Sequence, residues 1–246
     1  MATARFILFP DLNLFLPHER RSGQFEESFE YGQSVKHLIE AAGVPHTEVG
    51  QIRANGRPVD FSYLVRDGDA IDVQRATASN APLASPPRFV LDNHLGRLAA
   101  YLRMLGFDTA YRNDYDDNNL AAISAVEDRV LLTRDRRLLM RKTVRLGYCL
   151  RSLDSSEQLV EVLRRYHLFD QIAPFKRCLR CNALLQPVDK AAILDRLLPL
   201  TKKYFDEFHI CPACGQIYWK GSHYEHMQAM IDRLRAEEQA SQDPTG

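Results

Sequence analysis

The hydrophobic positions in the first third of the chain follow two different periods. Residues 5–9 form an apolar extended run, and in residues 24–30 Phe25 and Phe29 share one face among polar neighbours, as in a half-buried strand. Residues 35–42 instead repeat apolar side chains at the spacing of an amphipathic helix. The chain therefore begins with two predicted strands followed by a helix.

Two turn signals divide the residues after this helix. Asn55-Gly56 is typical of a tight hairpin, and Asp67-Gly68-Asp69 turns the chain into a last predicted strand. This order of elements resembles the ubiquitin-like β-grasp fold of the small sulfur-carrier proteins. Those proteins act through a free carboxy-terminal Gly-Gly, whereas here the chain continues. The predicted role is therefore that of a packing module or of a docking module that could recruit a protein partner.

From residue 88 onward, short apolar runs alternate with helical stripes. Such alternation predicts parallel strands joined by right-handed helical crossovers, so the predicted fold class is α/β. The predicted strands are residues 89–91, 109–111, 130–133 and 145–150, and the predicted helices are residues 95–105, 117–127, 136–142 and 155–167.

Three aspartates lie where this alternation brings chain segments to one edge of a sheet. Asp92 follows the first of these strands, Asp135 follows the strand of residues 130–133, and Asp117 opens a helix. In a βαβ unit, the ends of the strands and the starts of the following helices share one edge. The three carboxylates are therefore predicted to lie on the same side of the sheet.

Basic residues gather around one of these acids. The formal net charge of the chain is zero, but residues 129–145 hold seven lysines and arginines against Asp135 alone. Carboxylates that bind Mg²⁺ or Mn²⁺ support phosphodiester hydrolysis, and arginines grip phosphates without sequence preference. The pattern predicts a metal-dependent ribonuclease, and a non-catalytic RNA-binding or adaptor protein is the alternative.

Each acid also has a purely structural interpretation. Asp92 could simply end a strand, and Asp135 could form surface ion pairs with its arginine neighbours. Asp117 could be a first-turn acid of its helix, with Asp116 or Asp114 in the metal-binding role.

Two further acids are less suited to metal binding. Asp154 lies at the same predicted edge, but it forms a capping-box pattern with Glu157, which favours a structural role. Glu127 lies about 15 Å from Asp117 along the predicted helix, so it is not expected to be a ligand.

Four of the five cysteines form two Cys-x-x-Cys pairs. The pairs are Cys178 with Cys181 and Cys211 with Cys214, and 29 residues separate them. Two such pairs supply four thiolates to one tetrahedral zinc ion, and a site closed by four protein ligands is structural rather than catalytic. A redox dithiol is the alternative, and Cys149 is the unpaired fifth cysteine.

Four sequence runs together are typical of one family. The runs are LDNHLGRLAAYLRMLGFDT, DDNNLAAISAVEDRVLLTRDRRLLMR, CLRCNALL and CPACGQIYWKGSH. They resemble the mutator-seven C-terminal RNase domain family, a branch of the PIN-like nucleases that ends in a zinc ribbon. Bacterial members often carry an amino-terminal ubiquitin-like domain, and residues 4–75 match that description.

The resemblance implies roles for individual residues. Asp92, Asp117 and Asp135 correspond to family acids, as ligands of a catalytic Mg²⁺ or Mn²⁺ ion, while the four cysteines bind structural Zn²⁺ and RNA is the substrate. The expected phosphate contacts are Arg97, Arg134, Arg136 and Arg137, of which the first two fall on family arginines. The family's Trp-x-Gly-Ser-His run corresponds to Trp219, Gly221, Ser222 and His223. Trp219, Tyr218 and His223 could stack on bases or form part of a core.

The chain departs from the family pattern in two places. Asn93-His94 stands where a small residue and a methionine are usual, and the additional helix-borne acid of fuller PIN nucleases has no counterpart here. The number of catalytic metals therefore stays open.

These patterns predict five consecutive segments. They are a ubiquitin-like β-grasp domain (1–76), a linker (77–87), a PIN-like RNase domain (88–172), a zinc ribbon (173–228) and a charged tail (229–246). No apolar run approaches the roughly 20 residues of a membrane span, and the amino terminus lacks a signal-peptide pattern. A cytoplasmic protein without a membrane partner is expected.

Overall fold

A computed structural model describes residues 1–77 and 86–242 of the chain. Most of the predicted linker, residues 77–87, and the last residues of the predicted tail lie outside the described residues. The strands are β1 (Ala2–Leu8), β2 (Gln24–Phe29), β3 (Val49–Ala54), β4 (Arg57–Val59), β5 (Ala70–Arg75), β6 (Phe89–Leu91), β7 (Thr109–Ala110), β8 (Val130–Thr133), β9 (Gly147–Cys149), β10 (Gln186–Val188), β11 (Phe208–Ile210) and β12 (Ile217–Trp219). The α-helices are α1 (Val35–Ala41), α2 (Gly96–Met104), α3 (Asp117–Val126), α4 (Arg136–Leu139), α5 (Ser155–Arg165), α6 (Lys190–Ile193), α7 (Pro199–Tyr204) and α8 (Ser222–Gln242).

The amino-terminal strands form the predicted ubiquitin-like fold. Their sheet has the order β2-β1-β5-β3-β4, and β1 runs parallel to β5 while the other neighbours are antiparallel. The Ser34 hydroxyl accepts the His37 N–H at 3.3 Å and so begins α1, as a helix cap should. Asn55 and Gly56 both have positive φ, 53° and 79°, which a tight hairpin between β3 and β4 requires.

Parallel strands follow, as the alternating pattern predicted. β8 pairs in parallel with β6 on one side and with β9 on the other. All residues of these three strands are buried, which explains why β6 and β8 are apolar without alternation up to the buried Thr133. α4 is shorter than predicted, a single turn that ends at Leu139. Its Leu139 side chain packs closely on Gly147, where an added Cβ would lie 2.5 Å from the leucine.

The chain forms two compact units that are interleaved along the sequence. The first comprises Met1–Gly96 and Tyr111–Ser152, and the second comprises Arg97–Ala110 and Leu153–Gly246. The ubiquitin-like strands and the parallel strands β6, β8 and β9 therefore share one unit, while β7 and nearly all of α2 belong with the cysteine-rich region. These two units do not correspond one to one to the five predicted segments, whose boundaries remain predictions.

The cysteine-rich region contains an antiparallel sheet with a small core of its own. The strand order is β10-β11-β12, and Ile193, Leu197, Phe208 and Ile217 are buried together against it. Trp219 packs on this core, with its ring centroid 6.4 Å from that of Phe208. The tryptophan is thus part of the packing, in line with the core interpretation.

No helix among the described residues combines the length and the apolar character that crossing a membrane requires.

Candidate acidic site and cysteine cluster

The hydroxyl of Thr133 joins two of the predicted site aspartates. Asp92 follows β6 and Asp135 follows the neighbouring strand β8, so both lie at the carboxyl edge of the parallel strands. The fully buried Thr133 Oγ1 donates to Asp92 Oδ2 at 2.7 Å and accepts the Asp135 N–H at 2.9 Å. A single buried side chain therefore fixes the positions of both residues.

Each of these two carboxylates keeps one oxygen without a hydrogen bond. Asp135 Oδ1 accepts the N–H groups of Arg137 at 2.7 Å and Leu138 at 3.4 Å, which makes it the N-cap of α4, while Oδ2 makes no hydrogen bond to a described residue. Asp92 likewise uses only Oδ2, on Thr133. Both groups can therefore offer an oxygen to a cation.

Asp117 lies at the start of α3, as predicted, but it does not cap the helix. Asp116 is the cap, because its Oδ1 accepts the Asn119 N–H at 2.7 Å and the Asn119 side chain accepts the Asp116 N–H at 3.4 Å. Asp117 Oδ2 instead lies 3.4 Å from a guanidinium nitrogen of Arg141. Asp114 is paired with Arg112, whose hydrogen bonds lower the pKa of that carboxyl.

The structure does not gather the three predicted acids into a ready-made metal site. Among the side chains that the structure describes, the four cysteines are the only group of three or more candidate ligands that lie close enough to hold one ion. The structure joins Asp92 and Asp135 through Thr133 and places Asp117 on a separate helix with its own arginine partner.

The predicted phosphate-binding arginines have different environments. Arg134 and Arg137 are exposed, and their guanidinium groups make no hydrogen bond to another described residue. Arg136 donates to the carbonyl oxygens of Phe15 and Leu14 at 3.0 and 3.4 Å, so its guanidinium is already engaged. Arg97 lies in the second unit and donates to the Tyr101 hydroxyl at 3.0 Å.

The two acids that were less suited to metal binding both have structural partners. Asp154 caps α5, since its Oδ1 accepts the N–H groups of Ser156 at 2.8 Å and Glu157 at 3.1 Å. The Ser156 hydroxyl, followed by these backbone groups, lowers the pKa of this carboxyl. Glu127 ends α3 and pairs with Arg129 at 2.7 Å.

The four paired cysteines converge as their spacing predicted. Their Sγ atoms all lie within 4.8 Å of one another, with Cys178 3.5 Å from Cys214 and Cys181 3.3 Å from Cys211. A disulfide needs about 2.05 Å between sulfurs, whereas four thiolates on one tetrahedral zinc at about 2.3 Å are separated by about 3.8 Å. The cluster therefore fits a single tetrahedral metal ion better than disulfides.

Two matching backbone turns present these thiols. In the first turn the Asn182 N–H donates to the Cys178 carbonyl at 2.9 Å, and in the second the Gly215 N–H donates to the Cys211 carbonyl at 2.8 Å. Asn182 and Gly215 follow the second cysteine of each pair and have φ of 71° and 73°. A glycine after the second cysteine is a common sequence signal for a backbone turn with positive φ. The same conformation at Asn182 is recognised only in the structure.

A buried arginine holds the first of these turns in place. Arg103, on α2, is 4% exposed and donates to the carbonyl oxygens of Thr109, Leu179 and Arg180, each at 3.0 Å. The Asn182 side chain accepts the Thr109 N–H at 3.0 Å. No sequence motif pointed to Arg103, because its partners are backbone groups distant in the chain.

Tyr218 lies directly against the cysteine cluster. Its hydroxyl is 3.1 Å from Cys178 Sγ and accepts the Leu179 N–H at 3.0 Å. Burial raises the pKa of the Cys178 thiol, but the Tyr218 hydroxyl and the backbone N–H groups of Cys181 and Arg180 outweigh it and lower the pKa to about 7. The tyrosine thus supports a thiolate at Cys178, and metal binding needs thiolates.

The described residues thus form an α/β protein with two aspartates at the carboxyl edge of its parallel strands and a four-cysteine cluster that could bind a metal ion. The chain matches the family described as "Mut7-C RNAse domain" over residues 87–231 and the one described as "Mut7-C ubiquitin" over residues 1–80. The first match covers 145 of 246 residues, so the chain belongs to the Mut7-C RNase domain family, which indicates a nuclease. Searches of curated proteins and of solved structures gave no match.

The fifth cysteine, Cys149, is buried in β9, and its thiol should make the stability of the protein depend on pH. Burial, followed by the charge of Glu48, raises the pKa of the Cys149 thiol from 9.0 to about 11. Between pH 9 and pH 11 the unfolded chain loses the thiol proton while the folded chain keeps it. Losing the proton favours the unfolded chain, so the free energy of unfolding is unaffected by this thiol below pH 9 and decreases as the pH rises to 11. We expect the free energy of unfolding of the wild type to fall by about 2 kcal/mol more than that of Cys149→Ala across this window.

Urea unfolding at several pH values in that window, followed by circular dichroism, measures this difference. The comparison uses the slope with pH rather than the absolute stability, because removing the buried sulfur also leaves a small cavity. Equal slopes for the two proteins would show that the Cys149 thiol does not titrate as described.

Proposed function

We propose that this protein is a ribonuclease that hydrolyses RNA phosphodiester bonds at Asp92 and Asp135 with the help of a Mg²⁺ or Mn²⁺ ion. The observation that carries the proposal is the Thr133 hydroxyl, which holds both aspartates at one sheet edge while each keeps an oxygen available. Carboxylate oxygens are the ligands that these ions prefer, so the donor set fits. When bound, such an ion supplies an activated water and neutralises developing charge.

Asp117 is proposed as a further ligand, in keeping with its correspondence to a family acid. It is not needed as a helix cap, since Asp116 performs that role. Its partner Arg141 is about one-third exposed at the side chain, so the pair lies near solvent and is weakly held. An approaching cation can therefore compete with Arg141 for this carboxylate.

Arg134 and Arg137 are proposed to bind the phosphates of the RNA. Both are exposed beside Asp135, and neither guanidinium is engaged by another described residue. Such contacts bind any RNA sequence and weaken as the salt concentration rises. Arg97 is retained as a proposed phosphate contact on the family resemblance alone. Arg136 is assigned a different role, because two of its five guanidinium N–H groups donate to Phe15 and Leu14.

For the cysteine cluster we propose a structural Zn²⁺ ion. Cys178, Cys181, Cys211 and Cys214 are the ligands, and four thiolates leave no open position for a substrate. The Arg103 and Asn182 hydrogen bonds orient the first pair from outside the cluster. The ion would hold the ribbon together rather than take part in RNA hydrolysis.

One observation favours a second candidate function. The three acids do not form a three-ligand group among the described residues, and Asp117 is paired with Arg141. A non-catalytic RNA-binding or adaptor protein, with the ubiquitin-like domain recruiting a protein partner, would not need such a group.

Cleavage of labelled single-stranded RNA with Mn²⁺, and again with EDTA, tests the two functions. We expect Asp92→Asn and Asp135→Asn to lower the cleavage rate by about 100-fold or more, because a carboxylate ligand supports several kcal/mol of charge stabilisation. Asparagine can still accept from Thr133 and is a good helix N-cap, so both variants should fold. Asp128→Asn, an exposed acid paired with Arg145 and outside every predicted site, is the control and should cleave normally.

The outcomes separate the alternatives. Equal cleavage by the wild type and both site variants would show that Asp92 and Asp135 are not catalytic. RNA binding by all proteins without cleavage by any of them would favour the adaptor function instead.

A further inference from the structure

Three polar contacts connect the ubiquitin-like domain to the segments that follow Asp135, all within the first compact unit. The first is made by Arg136, the residue that follows Asp135 and begins α4. Its guanidinium donates to the carbonyl oxygens of Phe15 and Leu14 and lies over the Phe15 ring, 5.1 Å from the ring centroid. The ring is almost fully buried, so this arginine is anchored in the ubiquitin-like domain.

The second contact is a hydrogen bond from β9, the last of the parallel strands, to the carboxylate of Glu48. Glu48 is 2% exposed, and its Oε1 accepts the Cys149 N–H at 2.6 Å. β9 pairs with β8 alone among the described strands, through hydrogen bonds such as that from the Leu150 N–H to the Thr133 carbonyl. The Cys149 N–H therefore points away from β8, and Glu48 stands where a further strand would supply an acceptor.

The third contact reaches the segment between α4 and β9. His46, two residues before Glu48, places Nε2 2.8 Å from the carbonyl oxygen of Val144. The Val144 side chain is fully buried, so the carbonyl belongs to a packed segment. The short 3-10 helix of His46–Glu48 thus holds both β9 and the segment that leads into it.

These contacts lie next to the residues that carry the proposed site. Cys149 is the partner of Thr133 in the β8–β9 register, and the Thr133 hydroxyl binds both Asp92 and Asp135. α4, which Asp135 caps, is a single turn of four residues. A helix this short has no stability of its own in water, so its position depends on what packs against it.

We propose that the ubiquitin-like domain is a built-in positioning element of the ribonuclease site. Through the contacts of Arg136 and Glu48 it holds α4, which Asp135 caps, and β9, which pairs with Thr133. These contacts therefore fix the segments that carry Asp135 and the Thr133 hydroxyl, to which both aspartates are bonded. This inference rests on the proposed function, and it gives the domain a role within its own chain that is separate from recruiting a partner. Arg136 and Glu48 are positioning residues, and neither touches the substrate.

Full-length Arg136→Gln tests the proposal, with Arg53→Gln as the control. Arg53 is an exposed arginine of the same domain whose side chain contacts Gln51. We expect Arg136→Gln to speed amide hydrogen exchange in α4 and β9 by about tenfold, and to lower kcat by about tenfold to a hundredfold, because small displacements of catalytic groups are costly. The dependence of RNA binding on salt should not change, since no phosphate contact is lost.

Two further variants separate the loss of a phosphate contact from the loss of a positioning contact. Arg137→Gln removes a proposed phosphate contact, so it should weaken RNA binding and make it less salt-dependent while leaving exchange in α4 unchanged. Glu48→Ala leaves the Cys149 N–H without its acceptor and should speed exchange in β9, with a loss of kcat in the same direction as Arg136→Gln.

The wild type is measured in the same series, so the two possible failures are distinguishable. A wild type that does not cleave RNA overturns the proposed function and this inference with it. A wild type that cleaves, together with Arg136→Gln that cleaves normally or that changes only the salt dependence, overturns the positioning role and leaves the proposed function in place.

Discussion

Replacing Cys178 by serine is expected to release the metal from the cysteine cluster and to unfold the segments around it. Structural zinc sites bind with about 10–16 kcal/mol of apparent free energy, and that free energy is also folding free energy. The core beside the cluster is small, with four fully or nearly buried apolar side chains at its centre. Such a core cannot replace the stabilisation that the proposed zinc ion would supply.

The size of the effect follows from the neighbouring residues. Partners that only orient metal ligands contribute about 10–100-fold to metal affinity, so the loss of a ligand itself should exceed about 100-fold. Serine keeps the size of the side chain but does not supply a thiolate at neutral pH. We therefore expect zinc bound to the wild type at about one ion per chain, and no retained zinc after purification of Cys178→Ser.

Metal analysis of the purified protein measures the first part of this prediction, and the fluorescence of Trp219 measures the second. Trp219 is the single tryptophan of the chain and packs on the ribbon core, so its emission reports on that region alone. Cys149→Ser is the matched control, because this cysteine lies in the first unit and should not affect zinc. Equal zinc contents in Cys178→Ser and the wild type would show that the cluster is not the metal site.

Replacing Arg103 by methionine is expected to destabilise the second unit by about 3 kcal/mol, because one buried and two part-buried carbonyl groups lose their donor at once. Methionine fills a similar volume, so the cost comes from hydrogen bonds rather than from a cavity. The guanidinium bonds to Thr109, Leu179 and Arg180, and the last two belong to the first cysteine turn. The substitution should therefore also weaken zinc binding by about 10–100-fold, as expected for a residue that orients metal ligands.

Unfolding of the zinc-loaded protein in urea, followed by Trp219 emission, measures the loss of stability. Competition with a zinc chelator measures the loss of affinity. Arg180→Met is the control, since Arg180 lies in the same cysteine turn but its side chain is exposed. If Arg103→Met behaves like Arg180→Met in both measurements, the hydrogen bonds of Arg103 do not stabilise the turn.

Local signals in the sequence predicted the elements well. The Asn55-Gly56 hairpin, the helix that begins after Ser34 and the alternation of strands and helices from residue 88 depend on residues that are close in the chain, and the structure confirms them. The convergence of the four cysteines was also predicted, because metal-ligand spacing is a local property of each pair.

The acidic site was predicted only in part. The positions of Asp92 and Asp135 at one edge follow from the topology of parallel strands, and the structure places both there. The role of Thr133 could not be predicted, because a threonine at the end of a strand has many common interpretations. That Arg136 binds carbonyl groups of Leu14 and Phe15, more than a hundred residues away, was equally inaccessible from sequence.

By itself the sequence determined most of the strands and helices, the four cysteines that converge on one cluster, and the family that the chain resembles. The tertiary structure alone decided which side chains form hydrogen bonds with backbone groups that lie far away in the sequence. Arg103, Arg136 and Glu48 bond to N–H or carbonyl groups that every residue possesses, so no pattern of residue types marks their partners. These three side chains join segments of the chain only after the fold has brought them together, and that placement depends on the packing of the whole chain.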